Sequence, residues 1–494
     1  MQIVALDVGT SLTKASIVDP RGRIRQSISE RTCRLNHPQP GFMEVDPDEV
    51  FSSVSRVLKR ISRGLKQDDI LISFSCMAPV MVLLGKSCRP LRAAILYNDL
   101  RASTEVDELN REVGIDELLR INGNQANIQQ WAPKLLWLRK NEPSVAAKIV
   151  KVFDLSTYLI WKLTGQEVID YTVAEEGGLL DYSKMNWSHR MLSMLNLDSS
   201  ALPELKQTLQ TTEITSRMLK SKLGLKNRQV TITSGCVDAV STPIGMGLVA
   251  EGNISLELGT TGIIYTPTRN PKPDWRLYLD LSPIQGLYYV GGGTAASGLF
   301  YEWILRLLMN GQADFKKAEK LAAKSKPGSN GIVILPYILG ERTPIFDPLA
   351  RAVIFGLHQD NTPSNIVRAS MEGVTYSFLH HLRIMREKGY RVEAGTITGG
   401  GARSRLFRKI VADVLGIPLT YKPSLSTTVG TAYIGYMASG ILKKWSNVRE
   451  WTHDMERIEA DHSLRGLYDE LFSIYLNLYK KHREDFKRVT SLSF

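Results

Sequence analysis

With 494 residues, 43% of them hydrophobic and 23% charged, the chain has the composition of a folded protein too long for one ordinary core, so two domains with a cleft between them are expected. Its net charge of +12 is scattered over an amino-terminal hairpin, a helix and the carboxyl end without interleaved aromatics, which argues against a nucleic-acid surface and leaves a mild attraction for anionic ligands. Four dispersed cysteines with no Cys-x-x-Cys pair argue against structural zinc or a disulfide framework, and no apolar run free of charge is long enough for a membrane span, so a cytoplasmic protein is expected.

The first element is a buried strand at 3–7, which carries Asp7 inside its apolar run and so does not read as a secretion leader. A second strand at 14–19, a turn at Asp19-Pro20-Arg21-Gly22 and a third strand from Ile24 complete an antiparallel meander. Asp46 then caps a helix with Pro47 in its first position, and Val50, Val54, Val57, Leu58, Ile61 and Leu65 recur on one face. A buried strand follows at 70–76, and strands alternating with helices indicate an α/β layer structure. The string Asp7-Val8-Gly9-Thr10-Ser11 recurs as Glu257-Leu258-Gly259-Thr260-Thr261, in each case between apolar strands, which points to a duplicated domain. The polar stretch 226–229 marks the division, giving an N-terminal lobe at 1–228, a C-terminal lobe at 229–450, and a helical tail at 451–494 that packs back on the first lobe. Within the second half, helices are expected at 295–309, 363–388, 404–415 and 428–439, with a strand at 332–337.

A bound phosphate needs close backbone approach and several N–H donors, which glycine permits by lacking a Cβ and nearby hydroxyls supplement. Gly9-Thr10-Ser11 and Gly259-Thr260-Thr261-Gly262 are therefore expected to face each other across the cleft and grip a triphosphate, with Asp7 holding Mg²⁺ through water. Taken alone, each reads equally as a tight β-turn. Gly399-Gly400-Gly401 leads from a strand into a helix; its bare backbone suits a flat adenine, or it is an ordinary joint. There is no P-loop, no dinucleotide fingerprint after a strand and no Gly-x-Ser-x-Gly elbow. Transfer to an alcohol also needs a carboxylate that accepts the hydroxyl proton, and Asp238, between a strand at 230–234 and a small-residue helix at 239–247, is the candidate. Its alternative role is a helix N-cap.

Several longer strings occur in one order: Asp7 to Ser11, Ala132-Pro133-Lys134-Leu135-Leu136-Trp137-Leu138, Leu258 to Gly262, Gly340-Glu341-Arg342-Thr343-Pro344, Glu372-Gly373-Val374 and Gly399 to Ser404. On these, over nearly its whole length, the chain resembles the FGGY carbohydrate kinases. The resemblance implies an α/β, duplicated actin-like (ribonuclease H-like) ATPase fold of two lobes with a central cleft, ATP and Mg²⁺ as cofactors, and a catalytic aspartate that falls on Asp238. It gives Asp7 and Thr10 to metal and phosphate, Thr260 and Thr261 to phosphate, and Gly400, Gly401 and Ala402 to the nucleoside. The first lobe is then sugar-binding and the second nucleotide-binding. The family's sugar-facing segments fall at Cys76-Met77-Ala78 and at Tyr97-Asn98-Asp99-Leu100-Arg101. The segment Tyr97 to Arg101 is similar to that of xylulokinases, with Asp99, Asn98 and Arg101 bonding sugar hydroxyls. Xylulokinases carry His where Ala78 stands and Asn where Ala239 stands, while glycerol kinases carry Arg-Glu in place of Met77 and Ala78, which disfavours glycerol. The expected activity is transfer of the γ-phosphate of ATP to a hydroxyl of a pentulose such as xylulose, with gluconate, another aldonate or a different ketose as the alternative. A nucleotide-driven switch with no small substrate is an alternative of another class. The expected partners are the sugar and ATP, with no nucleic acid and no membrane, and a homodimer is compatible with the sequence.

Overall fold

A computed structural model describes residues 1–423, 427–451 and 455–492. Its two halves are built alike, each around a hairpin flanked by a parallel strand. In the first, Gln2–Val8 pairs antiparallel with Leu12–Val18, which pairs with Ile24–Arg31, while its other edge meets Asp69–Cys76 in parallel. In the second, Gly252–Leu258 pairs antiparallel with Gly262–Thr268 and parallel with Val392–Thr398. The registers coincide at the two acids: Asp7 lies opposite Lys14 and beside Ser75, and Glu257 lies opposite Ile263 and beside Thr398. The repeated acid-glycine-threonine string thus marks the same corner of both lobes, and the fold is the expected duplicated, two-lobed, actin-like α/β architecture.

The inner strands are apolar along both faces because helices cover both sides of the sheet. On one side, the helix Pro47–Ile61, capped by the Asp46 side chain on the amides of Asp48 and Glu49, buries Val50, Val54, Val57 and Leu58 against Val4, Leu6, Ile70 and Ile72. On the other side lies the helix Thr427–Ala438, which comes from the second half of the sequence. Its glycines permit the approach: a Cβ on Gly435 would meet the side chains of Ser73 and Ile3 at 2.7 and 2.8 Å. A Cβ on Gly430 would meet the backbone oxygen of Ser241, in the helix Asp238–Gly245, at 1.8 Å.

Two expectations about organisation are corrected. The division at 229 cuts the first lobe, since Gln229–Thr233 runs parallel to Asp69–Cys76 with Val230 opposite Ile70 as an inner strand of that sheet. The polar stretch before it is a turn and not a linker. The tail helix Arg465–Ser491 packs on the second lobe and not the first, burying Tyr468, Leu471, Phe472 and Tyr475 beside the helix Pro363–Glu387 and the strand Val333–Leu335. The Tyr475 hydroxyl lies 2.5 Å from that of Tyr337 and 3.1 Å from Ser377 Oγ, so the helix is fixed by polar as well as apolar contacts. Trp451, at the head of the tail, does touch the first lobe, where a Cβ on Gly22 would come within 2.7 Å of its ring. Residues 452–454 and 493–494 of the expected tail lie outside the described residues. No helix among the described residues is long and apolar enough to cross a membrane.

Candidate active site

Two cavities, of about 290 and 280 Å³, meet in the cleft at Thr242, Glu257 and Thr427, which line both. The first is walled by Ala78 and Tyr97 from the first lobe, by Asp238 and Ala239, and by Thr261, Asp280 and Arg342 from the second lobe. The second runs over Thr398, Gly399, Gly400, Arg403, Tyr421 and Pro423.

Asp238 stands at the first turn of its helix, where Val237 and not Asp238 occupies the cap position. Its carboxylate accepts a hydrogen bond from the adjacent amide of Ala239 at 2.8 Å, and the helix start carries no side-chain cap, so Asp238 is not used as an N-cap. Burial, and then the charges of Asp7 and Glu257, push it up to about 7, poised to take or release a proton near neutrality. The loop before it is tethered by a hydrogen bond from the Val237 amide to Thr172 Oγ1 at 3.1 Å. Asp7 is pushed up to about 6 by burial, an effect opposed by the Ser75 hydroxyl at 3.2 Å and by Lys14. Ser75 in turn accepts from Thr431 Oγ1 at 2.9 Å, so the helix Thr427–Ala438 reaches the acid through a hydroxyl relay.

The first turn closes through a hydrogen bond from the Gly9 amide to the Leu12 carbonyl at 3.1 Å, with Thr10 Oγ1 3.5 Å from the Tyr97 hydroxyl and Ser11 exposed. In the second, the carbonyls of Gly259 and Thr260 accept from the amides of Ser297, Gly298 and Leu299 at 2.8–3.1 Å, which leaves the Thr260 and Thr261 side chains exposed. Gly399 has φ +98°, and a Cβ there would come within 2.5 Å of the Leu258 carbonyl oxygen, so the chain can bend here only at glycine. A Cβ on Gly400 would meet nothing within 4 Å, leaving its backbone open to the second cavity, whereas Gly401 leans on Leu258. Ala402 is corrected: its methyl is fully buried in the core of the second lobe and offers no surface to a nucleoside.

The sugar-facing segments are brought to the cavity only in part. Ala78 and Tyr97 line it. Met77 is a core side chain, 1% exposed, held by its amide on the Val8 carbonyl at 2.8 Å. Asp99 and Arg101 are corrected as sugar contacts: they form a bidentate pair with both N–O distances 2.8 Å, Asp99 also takes the Met43 amide at 2.6 Å, and Arg101 reaches Glu44 at 2.7 Å. The guanidinium lies over the rings of Phe42 and Trp137 at 4.2 and 5.1 Å. Both carboxylate oxygens of Asp99 and two of the three guanidinium nitrogens of Arg101 are thus engaged inside the lobe, and none of Asn98, Asp99 and Arg101 lines the cavity. What the motif Ala132 to Leu138 contributes is Lys134, fully buried and donating to the carbonyls of Leu96 and Gln129 at 2.8 Å each. It thereby holds Tyr97 and Gln130 against the cavity, and burial lowers it to about 7.

The structure adds residues to which the sequence alone assigns no role. Glu257 corresponds to Asp7 in the recurring string, which by itself assigns it no role. Glu175, Glu176 and Asp280 carry no spacing signal, because the strand that brings Asp280 to the two glutamates lies more than a hundred residues further on.

The sequence profile described as the FGGY family of carbohydrate kinases, N-terminal domain, matches residues 2–245, and the one described as its C-terminal domain matches residues 254–439. The chain is 27% identical over 485 residues to the xylulose kinase of Staphylococcus xylosus, covering 97% of this chain and 99% of that protein. It is 24% identical over 506 residues to the gluconokinase of Bacillus subtilis, covering 99% and 97%. Its fold superposes on the crystal structure of xylulose kinase from Rhodospirillum rubrum with a TM-score of 0.91, at 29% identity and with 99% and 100% of the two chains covered.

Proposed function

The chain belongs to the FGGY family of carbohydrate kinases, and from that premise we propose that it transfers the γ-phosphate of ATP to a hydroxyl of a pentulose such as xylulose, with Asp238 as general base. It is a phosphotransferase with an alcohol group as acceptor, which sets aside a switch without a small substrate.

The observation that carries the reading is the position of Asp238: it lines the cavity of Ala78 and Tyr97 and sits one helical turn from Thr242, which opens onto the glycine-floored second cavity. A hydroxyl in the first space and a phosphate chain from the second would meet beside a carboxylate able to accept a proton near pH 7. Thr10, Ser11, Gly259, Thr260 and Thr261 would donate to the phosphates, and Gly400 and Gly401 would lie under the nucleoside. The oxygen-only acids Asp7 and Glu257, which electrostatically raise Asp238, fit Mg²⁺, and they would hold it. When bound, it supplies neutralisation of the phosphate charge.

The test is ADP release across a panel of ketoses, polyols and aldonates. Release that depends on a sugar, and that falls by about 100-fold to 10,000-fold in Asp238→Asn, is the expected result. Near-normal phosphorylation by that variant removes Asp238 from the mechanism.

A further inference from the structure

One wall of the first cavity is acidic. Glu175 and Glu176, at the end of the helix Tyr171–Glu176, and Asp280, in the strand Tyr278–Leu281, bring carboxylate oxygens within 4.8 Å of one another. Glu175 is 2% exposed and Asp280 5%. Glu175 accepts from Asn124 Nδ2 at 2.7 Å through one oxygen, while its Oε2 and Asp280 Oδ2 have no hydrogen-bond partner among the described residues. Glu176 is partly open to the cavity. Besides Asp238, the proposed base, and Glu257, assigned above to Mg²⁺, these three acids face a space whose described lining residues include one cation, the guanidinium of Arg342. Arg342 donates through Nε at 3.2 Å to the carbonyl of Gly293, in the strand Tyr288–Thr294.

We propose that this acidic wall sets substrate class: its unpartnered oxygens accept hydrogen bonds from the hydroxyls of a neutral polyhydroxy substrate, and the same wall rejects sugar acids. The proposal rests on the kinase reading above and narrows it. A buried carboxylate oxygen without a donor is costly to leave unmade, and a sugar hydroxyl supplies the missing donor. An aldonate instead brings an acceptor-only anion into an enclosed space already crowded with acids, where like charges repel far more than in water. Burial first, and for the two glutamates the neighbouring acids as well, raise Glu175 and Glu176 well above the ordinary carboxylate range and Asp280 to about 6, as crowding of acids in an enclosed space does.

The decisive measurement is calorimetric titration of the intact protein at pH 7.5 with neutral ketoses and polyols and with D-xylonate and D-gluconate. We expect at least one neutral sugar to bind more than 10-fold tighter than either aldonate, and the ratio to narrow at least 3-fold in Glu176→Gln and, as a second variant, in Asp280→Asn. Aldonates binding as tightly as the best neutral sugar, neither class binding, or an unchanged ratio in both variants would each overturn the proposal. ADP release is scored separately. Turnover of aldonates in preference to neutral sugars sinks the acidic wall and leaves the kinase reading standing, whereas selective neutral binding without ADP release upholds the wall and sinks the kinase reading.

Discussion

At Asp238 one side chain governs both chemistry and stability. As a base it must be ionised, so kcat/KM for the sugar should fall about tenfold per pH unit below the pKa of Asp238, which burial, Asp7 and Glu257 raise to about 7 in the metal-free protein and which Mg²⁺ on those two acids would lower. Its effect on stability has the opposite direction. An acid whose folded pKa exceeds its unfolded value binds its proton more tightly when folded, so ionisation costs folding free energy from about pH 4 upward, increasingly until about pH 7. Asp238→Asn should therefore raise Tm at pH 8 and leave it unchanged near pH 4, as thermal melts at the two pH values would show, even as turnover falls about 100-fold to 10,000-fold. Ala78 and Ala239 line the same cavity with no polar side-chain atom, and the resemblance to xylulokinases implies His and Asn at these places, so D-xylulose is expected to lack two polar contacts here. D-Xylulose is accordingly expected to show a high KM, and Ala78→His to lower it by about 2-fold to 12-fold, the worth of one neutral hydrogen bond. An ordinary micromolar KM in the unaltered protein would show that other residues supply those bonds.

At the scale of elements, what could be read from the chain was what local sequence determines. The hairpins, the Asp46-capped helix and the duplicated corner each announce themselves within a dozen residues, through an apolar run, a cap or a glycine turn. Elements whose meaning depends on distant partners did not. Residues 226–229 are as polar as a linker, and although a strand at 230–234 is legible, only the pairing of Val230 with Ile70 shows that it is an inner strand of the first sheet. Tyr468, Leu471, Phe472 and Tyr475 declare an apolar face without saying which lobe receives it. Asp99 and Arg101 have the composition of a ligand site but neutralise each other, and that pairing is invisible in a list of motifs. The helix Thr427–Ala438 offers a test at this scale. Gly430→Ala would drive a methyl into the backbone of Ser241, which cannot yield without moving the helix that begins at Asp238. Overpacking of this kind costs about 1–3 kcal/mol, so the variant should melt earlier and lose activity out of proportion to its lost stability. A fully active, equally stable variant would show that the two helices are not in the close contact described.

For the whole molecule, a site assembled from both lobes implies closure, since ATP beside an open, wet cleft would be hydrolysed without a sugar. Small-angle scattering should show contraction when sugar and nucleotide are both present, and identical profiles with and without them would count against a closing cleft. The path of the chain has a further consequence, for synthesis. The first sheet receives the cover of one face from a helix near residue 430, so the first half of the protein leaves the ribosome with Ile3 and Ser73 uncovered and must wait for nearly two hundred more residues before that face can close. A fragment ending near residue 250 should bind hydrophobic dyes and aggregate, and adding the remaining half in trans should restore a soluble, folded pair. Nascent chains of this protein are therefore expected to depend on chaperones throughout most of their translation.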